Sequence, residues 1–219
     1  MAEKGVIARA GSIVDASFVD APRQRNAREE NKRIKEGEGE ELWQDQPHKR
    51  RQKDTDARWA KKNEEKHYGY KDHVKVDRDS KMIVGYAVTS ASVHDSQALA
   101  QLMDKQDHVL HADSAYVGVD LHQDLLENNP ALQLQVNEKG RRNHPLTEEQ
   151  KADNKEKSRT RARVEHVFGQ MTNSFGNMFI RTIGLARACC QIALKNLAYN
   201  LQRYECLIRL KHFPWPKLG

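Results

Sequence analysis

The run Val109-Leu110-His111-Ala112 is apolar but for one histidine and closes on Asp113, after which Ser114, Ala115, Tyr116, Val117 and Gly118 follow. A run this short has the length of a buried strand, and the small residues and glycine after it release the chain into a helix. Asp113 therefore stands at a strand's carboxyl end, the edge at which open α/β sheets commonly hold ligands. Taken alone, it is an ordinary turn or capping aspartate. It means more only if the chain supplies partners.

The neighbouring segments frame that strand. Ser12 to Val19 is rich in β-prone residues and stops at Asp20-Ala21-Pro22. Within it Asp15 has apolar neighbours, where an ionised carboxylate is costly unless a cation or hydrogen bonds compensate; the alternative is an edge strand that turns Asp15 to solvent. Val74 and Val76 alternate with polar residues in His73 to Asp77, and Met82 to Thr89 is apolar on both faces. With Arg78-Asp79-Ser80-Lys81 as the turn, this predicts an antiparallel hairpin whose second strand lies inside the sheet. His94-Asp95-Ser96 offers a helix cap, with Asp95 as the capping residue, and Ala98, Leu99, Leu102 and Met103 follow at helical spacing. Leu121, Leu125 and Leu126 suggest a helix ending before Pro130, and Leu132, Leu134 and Val136 alternate as a further strand. The order strand, insertion, two strands, helix, strand, helix, strand predicts a mixed α/β fold with a partly antiparallel sheet.

Two stretches break this pattern. Residues 23–66 are densely charged in both signs, with Trp43 and Trp59 almost the only large apolar side chains. They read as a charged, partly helical or disordered insertion with no core of its own, although His48-Lys49-Arg50-Arg51 and Lys53 could touch phosphates. Asn137 to Lys157 is again polar and basic, with Lys139, Arg141, Arg142 and His144, and reads as a loop. These stretches explain a hydrophobic fraction of only 37% in 219 residues, which otherwise suffice for a single domain with a sizeable core. A net charge of +6 favours nucleic acid over membrane as a partner. Cys189, Cys190 and Cys206 have no metal-binding spacing and read as buried thiols of a reducing compartment. Met1 to Gly11 lacks a signal-peptide run and no segment has the length of a membrane span, so a cytoplasmic protein is expected.

Late in the chain, Val164, Phe168, Met171 and Phe175, with Val167 beside them, mark an amphipathic helix. Glu165 flanks its apolar stripe, and Arg161 lies one turn earlier, positioned to orient the carboxylate or reach a phosphate. Cys190, Leu194, Leu197, Leu201, Tyr204 and Ile208 form another helical stripe, expected to pack. Asp15, Asp113 and Glu165 thus stand out by context. Carboxylates holding two metal ions suit in-line displacement at phosphorus, and Mg²⁺ prefers such oxygen ligands. Asp77, beside a hairpin turn, and Asp95, as a helix cap, are rival acids of lower rank.

The chain resembles the DDE transposases of bacterial insertion sequences, most closely the insertion-sequence five and four groups. The resemblance is carried by Ile13-Val14-Asp15-Ala16 through Ala21-Pro22, Tyr68-Gly69-Tyr70-Lys71-Asp72-His73 and Val93-His94-Asp95-Ser96. It continues in Ala112-Asp113-Ser114-Ala115-Tyr116, Arg163-Val164-Glu165-His166-Val167-Phe168-Gly169 and Ala198-Tyr199-Asn200-Leu201. It implies an RNase H-like mixed sheet flanked by helices over residues 1–219, interrupted by 23–66. It also implies that Asp15, Asp113 and Glu165 are catalytic and bind two Mg²⁺, with Mn²⁺ as a substitute. Arg161, Arg163, Lys139, Arg141 and Arg142 would contact DNA. The implied partners are double-stranded DNA at the element's terminal repeats and target site, and further copies of the chain assembled on it; bound to DNA, the protein would be associated with the nucleoid. The family's signature places a tyrosine before the arginine and a lysine after the glutamate, whereas this chain has Ser158 and Thr172. Only a short stretch precedes Asp15, so a truncated or split-frame copy lacking the amino-terminal DNA-recognition region is expected, the alternative being a catalytically inactive DNA-binding remnant.

Overall fold

The computed structural model describes residues 5–113, 116, 119–138, 140 and 145–210, apart from the side chains at 119–122 and 124. Six strands form one mixed sheet. β1 (Ser12–Asp20) lies at its centre, antiparallel to β3 (Glu65–Asp77) and parallel to β5 (Val109–Ala112), which in turn pairs in parallel with β6 (Gln133–Val136). The other edge of β3 is shared by two strands. β2 (Arg58–Lys62) pairs with residues 65–69, and β4 (Ile83–Ser90) pairs with residues 70–76.

β4 is accordingly an edge strand, not the interior strand expected from its continuous apolar run, and Val84 and Tyr86 are exposed. Its open backbone is partly capped from a helix: Asn200 accepts from the Ile83 N–H at 2.9 Å and donates to the Ile83 carbonyl at 2.8 Å. An amide side chain that supplies both a donor and an acceptor imitates one more strand residue.

Two apolar layers flank the sheet. On one face Ile13, Val19, Tyr70, Val74 and Val76 pack with Val164, Val167 and Met171 of one helix and Ala188, Ile192 and Tyr199 of another. On the other face Val14, Leu110 and Ala112 pack with Leu99 and Leu102 of α3 (Asp95–Leu102) and Leu125 of α4 (Val119–Asn128). The alternation of Ile13 and Val14 between these layers is the two-residue period of a strand buried on both faces. The helix cap before α3 is His94, whose Nδ1 accepts from the Ser96 N–H; Asp95 instead pairs with Lys71 at 2.7 Å.

Residues 23–66 are organised. They fold into α1 (Arg28–Lys35), a short 3-10 turn at Gly39–Glu41, α2 (Pro47–Arg51) and β2. Ile34, Leu42 and Trp43 give the segment a small core, contrary to the reading that it has none. Its charges are spent locally: Glu30 accepts from the Ala27 N–H, the Trp43 indole and Lys49, which together hold its carboxyl down at about 2. Asp54 is buried and accepts from the Asp56 and Ala57 N–H groups, the Tyr70 hydroxyl and the Gly184 N–H. Asp56 accepts from the Leu185 N–H. The insertion thereby satisfies the open amino end of α7 (Leu185–Arg209).

The stretch before Arg161 is likewise a helix, α5 (Glu148–Arg161), capped reciprocally by Thr147 and Gln150. No α5 residue is buried, so the helix lacks the apolar period that would have marked it, and Asn137 to Lys157 had read as a loop. α6 (Arg163–Ser174) follows after Ala162. On α7 the stripe expected to pack is turned outward: Leu194, Leu197, Leu201 and Ile208 are 60%, 53%, 54% and 49% exposed. The buried face is Ala188, Ile192, Asn196, Tyr199 and Leu207, roughly 160° away at 100° per residue. None of the three cysteines is buried; Cys190 is exposed and the other two are intermediate. Among the described residues no helix is long and apolar enough to cross a membrane.

Candidate active site

The sheet register builds the site. Val14 of β1 lies opposite Ala112 of β5 in parallel pairing. The next residues along the two strands are Asp15 and Asp113, so the two carboxylates leave neighbouring strands at one level. Asp113 follows the last strand residue, and the chain turns there with the Tyr116 N–H on the Asp113 carbonyl at 2.9 Å. Asp15 lies within β1 and is 21% exposed, whereas Asp113, at the sheet's end, is 44% exposed.

Arg161, the last residue of α5, brings the pair together. Its guanidinium Nη1 is 3.9 Å from Asp15 Oδ2 and 3.6 Å from Asp113 Oδ2. The sequence directed this arginine toward Glu165 or a phosphate; it faces the aspartates. These separations are too long for good hydrogen bonds, so the contact is one of charge. Its Nε is buried without a partner. Burial pushes the Asp15 carboxyl above its ordinary value, against the Ala16 N–H, Arg161 and Lys62, while Asp113 adds to the upward push. One guanidinium thus faces both carboxylates.

Glu165 stands apart from this arrangement. α5 and α6 meet at Ala162, whose backbone stays helical (φ −56°, ψ −14°), and Glu165 lies in the first turn of α6 with its side chain exposed. Among the described residues no three His, Cys, Asp or Glu side chains are grouped to hold a metal ion. The donor set of Asp15 and Asp113 nonetheless suits a hard divalent cation, being carboxylate oxygens on adjacent strands.

Arg163 reaches the other way, donating to the Arg78 carbonyl and to Asp79 at the β3–β4 turn. Lys139, Arg141 and Arg142 lie outside the described residues. The rival acids have structural tasks: Asp77 accepts from Arg9 and Ser80 and organises the hairpin turn, while Asp95 holds Lys71.

Two further residues near the acids were given no role of their own by the sequence, although Tyr116 stands in a stretch that carries the resemblance. Tyr116 is almost fully buried, with its hydroxyl unpartnered, and burial with the charges of Asp95, Asp15 and Asp113 raises its pKa. Lys62 belongs to the charged insertion, and only the folded arm brings its charge to bear on Asp15. Neither stands in a spacing that sequence alone could decode.

Comparison with known proteins gives the family. Residues 8–201 match the model of the family described as "Transposase DDE domain". The chain is 32% identical over 211 residues to the transposase for insertion sequence element IS1106 of Neisseria meningitidis serogroup B, an overlap of 92% of this chain and 68% of that protein. No solved structure matches. A match that starts before β1 and runs into α7 takes in both aspartates, Arg161 and Glu165 together, and the chain belongs to the transposase DDE-domain family.

Proposed function

We propose that this chain is an RNase H-like DDE catalytic domain over residues 1–219, with 23–66 inserted, which cuts and transfers DNA strands at insertion-sequence ends. The observation that carries the reading is the meeting of Asp15 and Asp113 from parallel neighbouring strands at one arginine. Asp15 and Asp113, joined by Glu165, would hold two Mg²⁺ or Mn²⁺ ions. Such ions, when bound, activate an attacking oxygen and stabilise the leaving one.

The chain's own residues supply the surroundings. Arg161 neutralises the aspartate pair and stands ready to receive phosphate oxygens when the carboxylates take up a cation. Arg163, Lys139, Arg141 and Arg142 are further phosphate contacts. These contacts position DNA without reading its sequence. Copies of the chain assemble on DNA, supported by the outward stripe of α7, whose three- and four-residue spacing from Cys190 to Ile208 is that of a coiled-coil seam.

A second reading, a folded DNA-binding remnant without catalysis, is favoured by the exposure of Glu165 and its separation from any three-acid group among the described residues. Cleavage assays with Mg²⁺ on DNA carrying the element's terminal sequences separate the two. The catalytic reading expects Asp113→Asn and Asp15→Asn each to lower cleavage by more than about a hundred-fold, since loss of outer contacts to a metal site already costs 10- to 100-fold. A parent chain that cuts no faster than Asp113→Asn leaves the remnant standing.

A further inference from the structure

The insertion delivers more than β2. β2 and the first residues of β3 form an arm beyond the level at which β1 ends, and the arm turns at Gly69. Gly69 has φ +149°, and a Cβ there would run into the Val19 carbonyl oxygen and the Ala21 nitrogen, so only glycine lets the strands approach this closely. The arm is fastened to β1: the His67 ring stacks on Phe18 at 4.2 Å and 3°, and its Nδ1 lies 3.3 Å from Asp20 Oδ1. Arg23 sits over the Trp59 ring of the same arm, 5.5 Å from its centroid.

Between arm and sheet lies an open cavity of about 420 Å³. Its floor is residues 16–18 of β1, directly after Asp15; its roof is residues 59–62 of β2; the segment 91–95 before α3 closes one side. Three lysines line it, and they are not equivalent. Lys71 is committed to Asp95 at 2.7 Å and the Val93 carbonyl at 2.8 Å, and Lys61 is paired with Glu64 at 2.8 Å. Lys62 forms no close ion pair among the described residues and is exposed. A cation left over in a cavity that begins one residue from a carboxylate of the acid pair is placed for an anion that arrives with the substrate.

We propose that the cavity beneath the arm is a track for the DNA phosphate backbone, and that Lys62 is the positioning residue that holds a phosphate next to the reacting one beside Asp15. The proposal rests on the catalytic reading above and gives the arm a task in it. It also supplies the point charge that Thr172 does not provide on α6, where the family resemblance leads one to expect a lysine. A lysine suits this task as a compact charge on a flexible stem that need not match a planar partner.

Metal-free binding of a short DNA duplex, followed across about 50 to 200 mM salt, tests it, because each phosphate contact contributes about 0.9 to the slope of log affinity against log salt. Lys62→Gln is expected to flatten the slope by about one contact, Lys62→Arg to keep it, and Lys61→Gln to leave it unchanged. A slope unaltered in Lys62→Gln, or an equal drop in Lys61→Gln, overturns the assignment. Location is tested by a double-mutant cycle. Asp15→Asn is expected to tighten metal-free binding, and the gain is expected to change when Lys62 is Gln, since neighbouring groups couple and distant ones add. Simple additivity overturns the placement beside Asp15. A parent that binds DNA with the expected slopes and cuts nothing sinks the catalytic reading alone.

Discussion

Asp72 of β3 is buried completely, and among the described residues its only side-chain partner is the Asn196 amide at 3.3 Å, with Oδ2 left without a bond. Burial raises its carboxyl to about 7 against that hydrogen bond. Below about pH 4 folded and unfolded chains both hold the proton; between that and about pH 7 the unfolded chain releases it while the folded chain keeps it, so stability falls as pH rises and levels off above. Asp72→Asn removes this penalty. Urea titrations are expected to show the variant gaining on the parent by a few kcal/mol at about pH 8 and by much less near pH 4.5. A gap that does not widen with pH would falsify the assignment. At this scale local context singled out Asp15 among apolar neighbours and Asp113 at a strand end only as candidates, since each alone reads as well as an edge or turn acid, and it is the register of β1 and β5 that brings them side by side. Arg161 was visible but its target was not, because a side chain at a helix end can reach either along its own helix or across to the sheet. Lys62 was invisible, one lysine among many until the arm turns at Gly69.

Elements carry the next lesson through Asp54. Its carboxylate ties together the insertion's own turn, the Tyr70 hydroxyl in the sheet and the Gly184 N–H before α7. Asp54→Ala leaves several buried donors unanswered and is expected to cost about 3 kcal/mol, since hydrogen bonds to charged groups are worth about 1.5 to 3 each and stranded donors add to the loss. A lowered urea midpoint with faster proteolysis inside 23–66 is the expected result; an unchanged midpoint would show that the insertion is docked by other contacts. Hydrophobic period identified β1, β3, β4, β5 and β6, and α6 by its stripe. It failed for α5, which buries no residue, and for the insertion, whose order comes from fixed charges such as Glu30 and Asp54 that a composition count cannot distinguish from solvated ones. On α7 two apolar stripes compete, and the packed one is interrupted by Asn196, so the more regular stripe was mistaken for the core face. The Tyr199-Asn200 pair, which looked like a signature, fastens the helix to the Lys81 carbonyl and to Ile83.

For the whole molecule, element order led to the right mixed α/β fold with a partly antiparallel sheet, while the parallel pairing of β1 with β5 emerges only from the structure. What order could not give is the number of copies at work. Among the described residues Leu194, Leu197 and Leu201 present an apolar strip that nothing in one copy covers. If copies join along α7, light scattering is expected to find a dimer for the parent and a monomer for Leu197→Arg, with unchanged thermal stability per chain at low concentration; a monomeric parent both alone and with DNA would remove α7 from the interface. The meeting of α5 and α6 at Ala162 bears on every such assembly. The arginine that bridges the aspartates ends one rod, while Glu165 opens the next, which packs on β1 and α7. Glu165 is therefore carried on a different helix from the arginine, and a change of angle between α5 and α6 would alter their spacing while β1 and β5 stay where the sheet holds them.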